Sequence, residues 1–167
     1  MKIVPINETE EKIISSEEFK RVLDYGKPRS GHPEGTVGNH VKDILEYIEI
    51  HYKDDKDYEK LRILALLHDI GKVDQRKMPH SEKSAEIAKK FIKDNELIQI
   101  IKLHDEPYHF WKARKKYFDK EIFIEMFKNL DWKLFIKFKY ADDCARSQKT
   151  SIWFEKTCRE LFEKKNS

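Results

Sequence analysis

His68 and Asp69 close the stretch Leu61 to Val73, in which six of the first seven residues are apolar. A helix built from that run carries apolar side chains all round, so protein must cover it on every side, and its end delivers an imidazole and a carboxylate into the interior. Consecutive residues point about 100° apart on a regular helix, but where the helix terminates both can reach one divalent cation. Gly71 supplies a residue able to turn left-handed past the helix end, and Lys72 adds a positive charge. The alternative is a core histidine hydrogen-bonded to its neighbour, and the dipeptide alone does not decide between them.

Other titratable residues fall where apolar ones belong. His40 shares a helical stripe with Val37, Val41, Ile44, Leu45 and Ile48, and His104 shares one with Leu97, Ile100 and Ile101. Asp142 lies on the stripe of Phe135, Phe138 and Ala145, while Asp143 is expected to face outward. His80 stands at the entrance of a helix begun by Pro79-His80-Ser81. Burying such groups singly costs several kcal/mol each or drives them neutral. A shared divalent metal removes that penalty for all of them.

The elements that must position these residues read as helices throughout. Residues 1–14 lack clear periodicity and are expected to form an arm. Ser15-Ser16-Glu17-Glu18 fits a capping box ahead of Phe19, Val22 and Leu23. Lys27 to Gly35 holds Pro28, Gly31, Pro33 and Gly35, hence an irregular loop, and it carries Arg29, His32 and Glu34 toward the His40 helix. Asp57, Ser81 and either Asp94 or Asn95 are candidate caps for the next helices. Pro107 disfavours helix at Glu106, leaving Asp105 and Glu106 beside His104. Tyr108, His109, Phe110 and Trp111, followed by Lys112, Arg114, Lys115 and Lys116, read as core packing with a solvated rim, or as a wall for a base and its phosphate. Two more helices, a last amphipathic one through Trp153 and Leu161, and a charged tail complete the chain. Repeats, a Gly-rich phosphate loop, a serine nucleophile elbow and alternating strand patterns are all missing. The expectation is an all-α fold: an arm over 1–14 and one domain over 15–167.

Across 167 residues the charges nearly cancel, leaving +3 although 39% of the chain is charged. That small excess suits an anionic, phosphate-bearing substrate but lacks the clustering of a dedicated nucleic-acid binder. Cys144 and Cys158 show neither CxxC spacing nor a thiol-activating context and read as small core residues. Neither a secretory leader nor a membrane span is evident, so a soluble cytoplasmic protein without membrane partners is expected.

The ordered set His40, His68-Asp69 and Asp142 resembles the HD superfamily of metal-dependent phosphohydrolases, and His32-Pro33-Glu34-Gly35-Thr36-Val37-Gly38-Asn39-His40 is similar to the segment leading to the first ligand in many members. The resemblance runs from about His32 to Arg146. It implies a compact helical bundle with its metal site at the ends of core helices, and makes His40, His68, Asp69 and Asp142 the ligands of a first metal. In two-metal members a further pair of histidines joins and the Asp of the His-Asp pair bridges both ions; His80 and His104 fit that order. Lys72 fits the His-Asp-x-Gly-Lys form in which the lysine meets substrate phosphate. One or two ions of Mn²⁺, Fe²⁺, Co²⁺, Ni²⁺ or Mg²⁺ would then activate water for attack on a phosphate ester, with Asp69 orienting it. Lys72, with Arg146 and Arg29 as helpers, would neutralise the phosphoryl oxygens. Glu34, Asp105 and Glu106 would support the ligand histidines. The expected substrate is a small phosphorylated molecule, a nucleotide above all. The alternatives are a metal-stabilised nucleotide-sensing module without turnover, and an RNA-end or tRNA-linked phosphodiesterase, which the dispersed basic residues do not favour.

Overall fold

Apolar side chains at three- and four-residue spacing build helices, and the computed structural model describes residues 2–163 as a helical chain. The helices are α1 (Glu8–Ser15), α2 (Glu17–Val22), α3 (Val37–Tyr52), α4 (Tyr58–Leu67), α5 (His80–Ala88), α6 (Asn95–Leu103), α7 (Glu106–Ala113), α8 (Lys120–Phe127), α9 (Trp132–Asp142) and α10 (Lys149–Phe162). A 3-10 turn, Lys72–Asp74, follows α4. No strand forms among the described residues, and the all-α expectation stands. The charged tail beyond Glu163 lies outside the described residues.

Helix α4 is the central element. Its residues Leu61 to Leu67 are all buried, and α1, α3, α5, α6 and α9 pack around it. Each fully buried leucine or isoleucine there contributes on the order of 1.5–3 kcal/mol relative to exposure. Arg62 is the polar exception, and it explains the N-terminal residues. Its Nε and Nη2 donate to the two carboxylate oxygens of Glu10 at 2.8 and 2.9 Å, and Nη2 also donates to the Val4 carbonyl at 3.2 Å. Part of the arm is therefore the helix α1, capped by Asn7 and folded back onto α4 with Ile13 in the core.

Local signals place several helix starts, with four adjustments; Ser81, read as the cap of α5, is the second residue of that helix, and Pro79 stands at its cap position. Ser16 rather than Ser15 caps α2, accepting from the Phe19 amide at 3.2 Å. Asp57 stands at the start of α4 but accepts from Lys137 Nζ at 2.9 Å instead of capping the helix. Pro107 does not hold Glu106 out of a helix; it occupies the first turn of α7, where a missing N–H breaks no hydrogen bond. Asp94 caps α6 as read.

Gly71 departs from its expected conformation. Its φ is −86°, so it is not left-handed. Glycine is needed there because a Cβ would lie 2.5 Å from the Ser84 nitrogen and 2.8 Å from the His80 oxygen. The turn after α4 thus presses directly on the backbone of α5. A second tight point shapes the loop before α3: Gly35 has φ +77°, and a Cβ on it would meet the Pro28 ring at 2.9 Å. That locked loop brings Arg29, His32 and Glu34 to the rim of one cavity of about 550 Å³.

Candidate metal centre

At the floor of the cavity, α3, the end of α4 and the end of α9 converge. His40 Nε2 lies 2.9 Å from Asp142 Oδ1 and 3.3 Å from His68 Nε2, and His68 Nε2 lies 3.4 Å from the same carboxylate oxygen. All three residues are buried. The His68 ring is fixed by its other nitrogen, which donates to the carbonyls of Ala65 and Leu64 at 3.1 and 3.2 Å. Its Nε2 lone pair therefore points at the other two donors.

A second triangle stands beside the first. His80 at the start of α5 and His104 at the end of α6 place their Nε2 atoms 3.4 Å apart, at 3.3 and 3.5 Å from Asp69 Oδ1. His104 Nδ1 donates to the Ile101 carbonyl at 2.7 Å, again leaving Nε2 free to face inward. Asp69 joins the two triangles. Its Oδ1 belongs to the second, while Oδ2 is 3.4 Å from His68 Nε2 and 3.9 Å from His40 Nε2.

This donor set fits divalent cations. Two atoms bonded to one ion at about 2.0–2.2 Å lie about 3.0–3.5 Å apart, the spacing within each triangle. Lone pairs of His68 and His104 aimed at carboxylates and at other imidazoles are unfavourable unless a cation or proton lies between them. Each triangle is accordingly a group that could hold a metal ion.

The electrostatics of the cluster are set by burial and by mutual charge. Burial pushes the Asp69 carboxyl up, but the charges of His68 and Lys72 and hydrogen bonds from His104 and His80 outweigh it and hold the group well below the usual range. Asp142 behaves alike, with the Lys139 charge and its contacts with His40 and His68 overcoming burial. For His104 burial disfavours the proton, yet Asp105, Asp69 and Asp142 prevail and raise it to about 9. His68 is instead pushed down, because its burial dominates.

The remaining candidates divide. Lys72 Nζ forms an ion pair with Asp69 Oδ2 at 2.7 Å and borders the cavity. Arg146 Nη2 donates to Glu34 Oε1 at 2.7 Å, and that oxygen is 3.8 Å from His40 Nδ1, beyond hydrogen-bond range. Asp105 supports the second triangle, 3.2 Å from His80 and 3.5 Å from His104. Glu106 makes no contact with His80 or His104: as the first residue of α7 it pairs with His109 at 3.5 Å. Arg29 lines the cavity, as do Tyr108, His109 and Trp111, whereas Phe110 packs against Phe118, Phe123 and Phe127. Core packing is thus realised by Phe110, while Tyr108, His109 and Trp111 border the cavity. Asp143 does not face outward. It is buried, accepts from Ser151 Oγ at 2.7 Å and meets Lys139 Nζ at 3.3 Å. Lys139 had no signal in the sequence, where a lysine on a helix reads as solvated.

A family model, HD domain, matches residues 36–120. That span holds His40, His68, Asp69, His80 and His104 and stops short of Asp142. No curated protein and no solved structure matches the chain. No helix among the described residues is long and apolar enough to cross a membrane.

Proposed function

We propose that this chain, which belongs to the HD-domain family, is a metal-dependent phosphohydrolase that cleaves a phosphate ester of a nucleotide or similar small molecule. The observation that carries this reading is Asp69, whose two oxygens face two separate three-donor groups on the floor of one cavity. His40, His68, Asp69 and Asp142 would hold one ion, and Asp69, His80 and His104 a second. The chemistry such ions supply when bound is Lewis acidity: activation of water near neutral pH and neutralisation of phosphoryl charge. Members of this family are generally metal-dependent hydrolases.

The chain's own residues supply the rest. Asp69 accepts hydrogen bonds at the junction of the two groups and so orients a water entering there. Lys72 pairs with Asp69 and borders the cavity, where its Nζ would meet a phosphoryl oxygen of the substrate. Arg146, anchored by Glu34, adds a fixed charge on the same wall. Asp105 holds His80 and His104 in place, as an outer carboxylate does for a ligand imidazole. Arg29 at the rim and Tyr108 and Trp111 opposite can receive the remainder of a nucleotide.

The test is hydrolysis of matched phosphate monoesters and diesters with Mg²⁺, Mn²⁺, Fe²⁺, Co²⁺ or Ni²⁺, in wild type and Asp69→Asn, with bound metal quantified. Metal-dependent turnover abolished in Asp69→Asn supports the reading and identifies the bond cleaved. Turnover that survives both chelation and Asp69→Asn refutes it. Metal retained with no turnover on either class would mark a metal-stabilised binding module instead.

A further inference from the structure

Lys139 is a charged residue held almost entirely out of solvent. It is 3% exposed, sits on α9 one turn before Asp142, and its Nζ donates to Asp142 Oδ2 at 3.0 Å and pairs with Asp143 Oδ1 at 3.3 Å. Nothing in the proposed chemistry uses it, yet it borders the same cavity. Burying an ammonium ion costs several kcal/mol unless its partners are well placed, so this one is retained against a large penalty.

Its placement has two consequences for the centre. Asp142 turns Oδ1 toward His40 and His68 and Oδ2 toward Lys139, so the two oxygens have different partners. Asp142 and Asp143 are adjacent buried carboxylates, and Lys139 is the cation that touches both. Ser151 completes the arrangement from α10. Its Oγ lies 2.7 Å from Asp143 Oδ2 and 3.1 Å from the Lys139 carbonyl, which fixes Asp143 and the α9 backbone together.

We infer that Lys139 is a positioning residue, a built-in counter-cation that withholds Oδ2 of Asp142 from a metal and keeps the His40, His68 and Asp142 donors assembled before any metal binds. This rests on the metal reading above. Asp142 then offers an ion a single oxygen, and the fold at the end of α9 does not depend on loading. A neutral side chain of similar length removes both effects. It leaves two buried carboxylates without a cation when metal is absent, and frees the second oxygen for chelation when metal is present.

The experiment compares wild type, Lys139→Met and Lys139→Arg by thermal unfolding in chelator and in saturating Mn²⁺, together with the visible spectrum of the Co²⁺ form. Lys139→Met is expected to lower the midpoint in chelator by about 10 °C, the scale for breaking a buried ion pair in a chain of this size, and by less than half of that with Mn²⁺. Lys139→Arg keeps the charge and is expected to recover most of the loss in chelator. The Co²⁺ band of Lys139→Met should weaken, because a second carboxylate oxygen raises the coordination number. Equal losses with and without Mn²⁺, or a Co²⁺ spectrum identical to that of wild type, would overturn the inference while leaving the metal centre standing. A wild type that binds no metal overturns the metal reading and this inference with it.

Discussion

Gly71→Ala separates the two possible reasons for a glycine after the His-Asp pair. The backbone there has φ −86° and ψ 0°, which alanine adopts without strain, so a conformational role predicts almost no effect. Packing predicts a large one. The new methyl carbon would lie 2.5 Å from the Ser84 nitrogen, 2.8 Å from the His80 oxygen and 2.8 Å from the Lys83 carbonyl carbon, all backbone atoms of α5 that cannot rotate away. Restoring ordinary contact at about 3.5 Å requires α5 to retreat by about 1 Å. Overpacking of this kind costs about 1–3 kcal/mol, and the rigid neighbours place it at the upper end, a fall of about 6–12 °C in Tm. The same retreat carries His80 with it. His80 Nε2 is 3.3 Å from Asp69 Oδ1 and 3.4 Å from His104 Nε2, so a displacement of that size opens the second triangle and leaves the first intact. Thermal unfolding and titration calorimetry with Mn²⁺ read both effects: a lowered midpoint, and loss of one of two binding events. A variant that unfolds within about 1 °C of wild type and binds metal with unchanged stoichiometry would refute the packing argument.

Arg62→Ala strands the Glu10 carboxylate in the core, and should cost about 3–5 kcal/mol in urea unfolding, whereas Arg62→Met combined with Glu10→Met should recover most of it; equal losses in the two proteins would show that the pair is not what docks α1. In the metal-free protein the proton on His104 is favoured by folding, because its pKa is raised from 6.5 to about 9. Its contribution is full below about pH 6.5 and disappears as pH rises through about 9. A metal must displace that proton, so uptake near pH 7.5 should release protons, and affinity should climb toward pH 9. Calorimetry in buffers of different ionisation enthalpy checks this, and buffer-independent heats would contradict it.

Much of this was legible in the sequence because helical periodicity is local. Stripes such as Val37, Val41, Ile44 and Ile48 mark a buried face without knowledge of what lies against it. The ligand candidates were visible as violations of those stripes: His40, His104 and Asp142 sit where only apolar or partnered residues are stable, and all three prove to be buried. Charged residues without such a marker were misjudged. Glu106 stands beside His104 in the chain, yet it opens α7 and pairs with His109 rather than with His104. Helix α1 is strongly polar, and the partner that pulls it down, Arg62, lies 52 residues away from Glu10.

The chain alone therefore determined that helices form, which apolar faces they bury and that His40, His104 and Asp142 go inside with them, since each depends on neighbours within a turn or two. Tertiary structure decided how six donors divide into two triangles with Asp69 between them, because that depends on where the ends of α3, α4, α5, α6 and α9 meet. It also decided the fate of Lys139 and Asp143. Helix α9 is packed by α3, α4 and α10, so little of its surface is left to water, and charges that local reading assigns to solvent are held inside against each other.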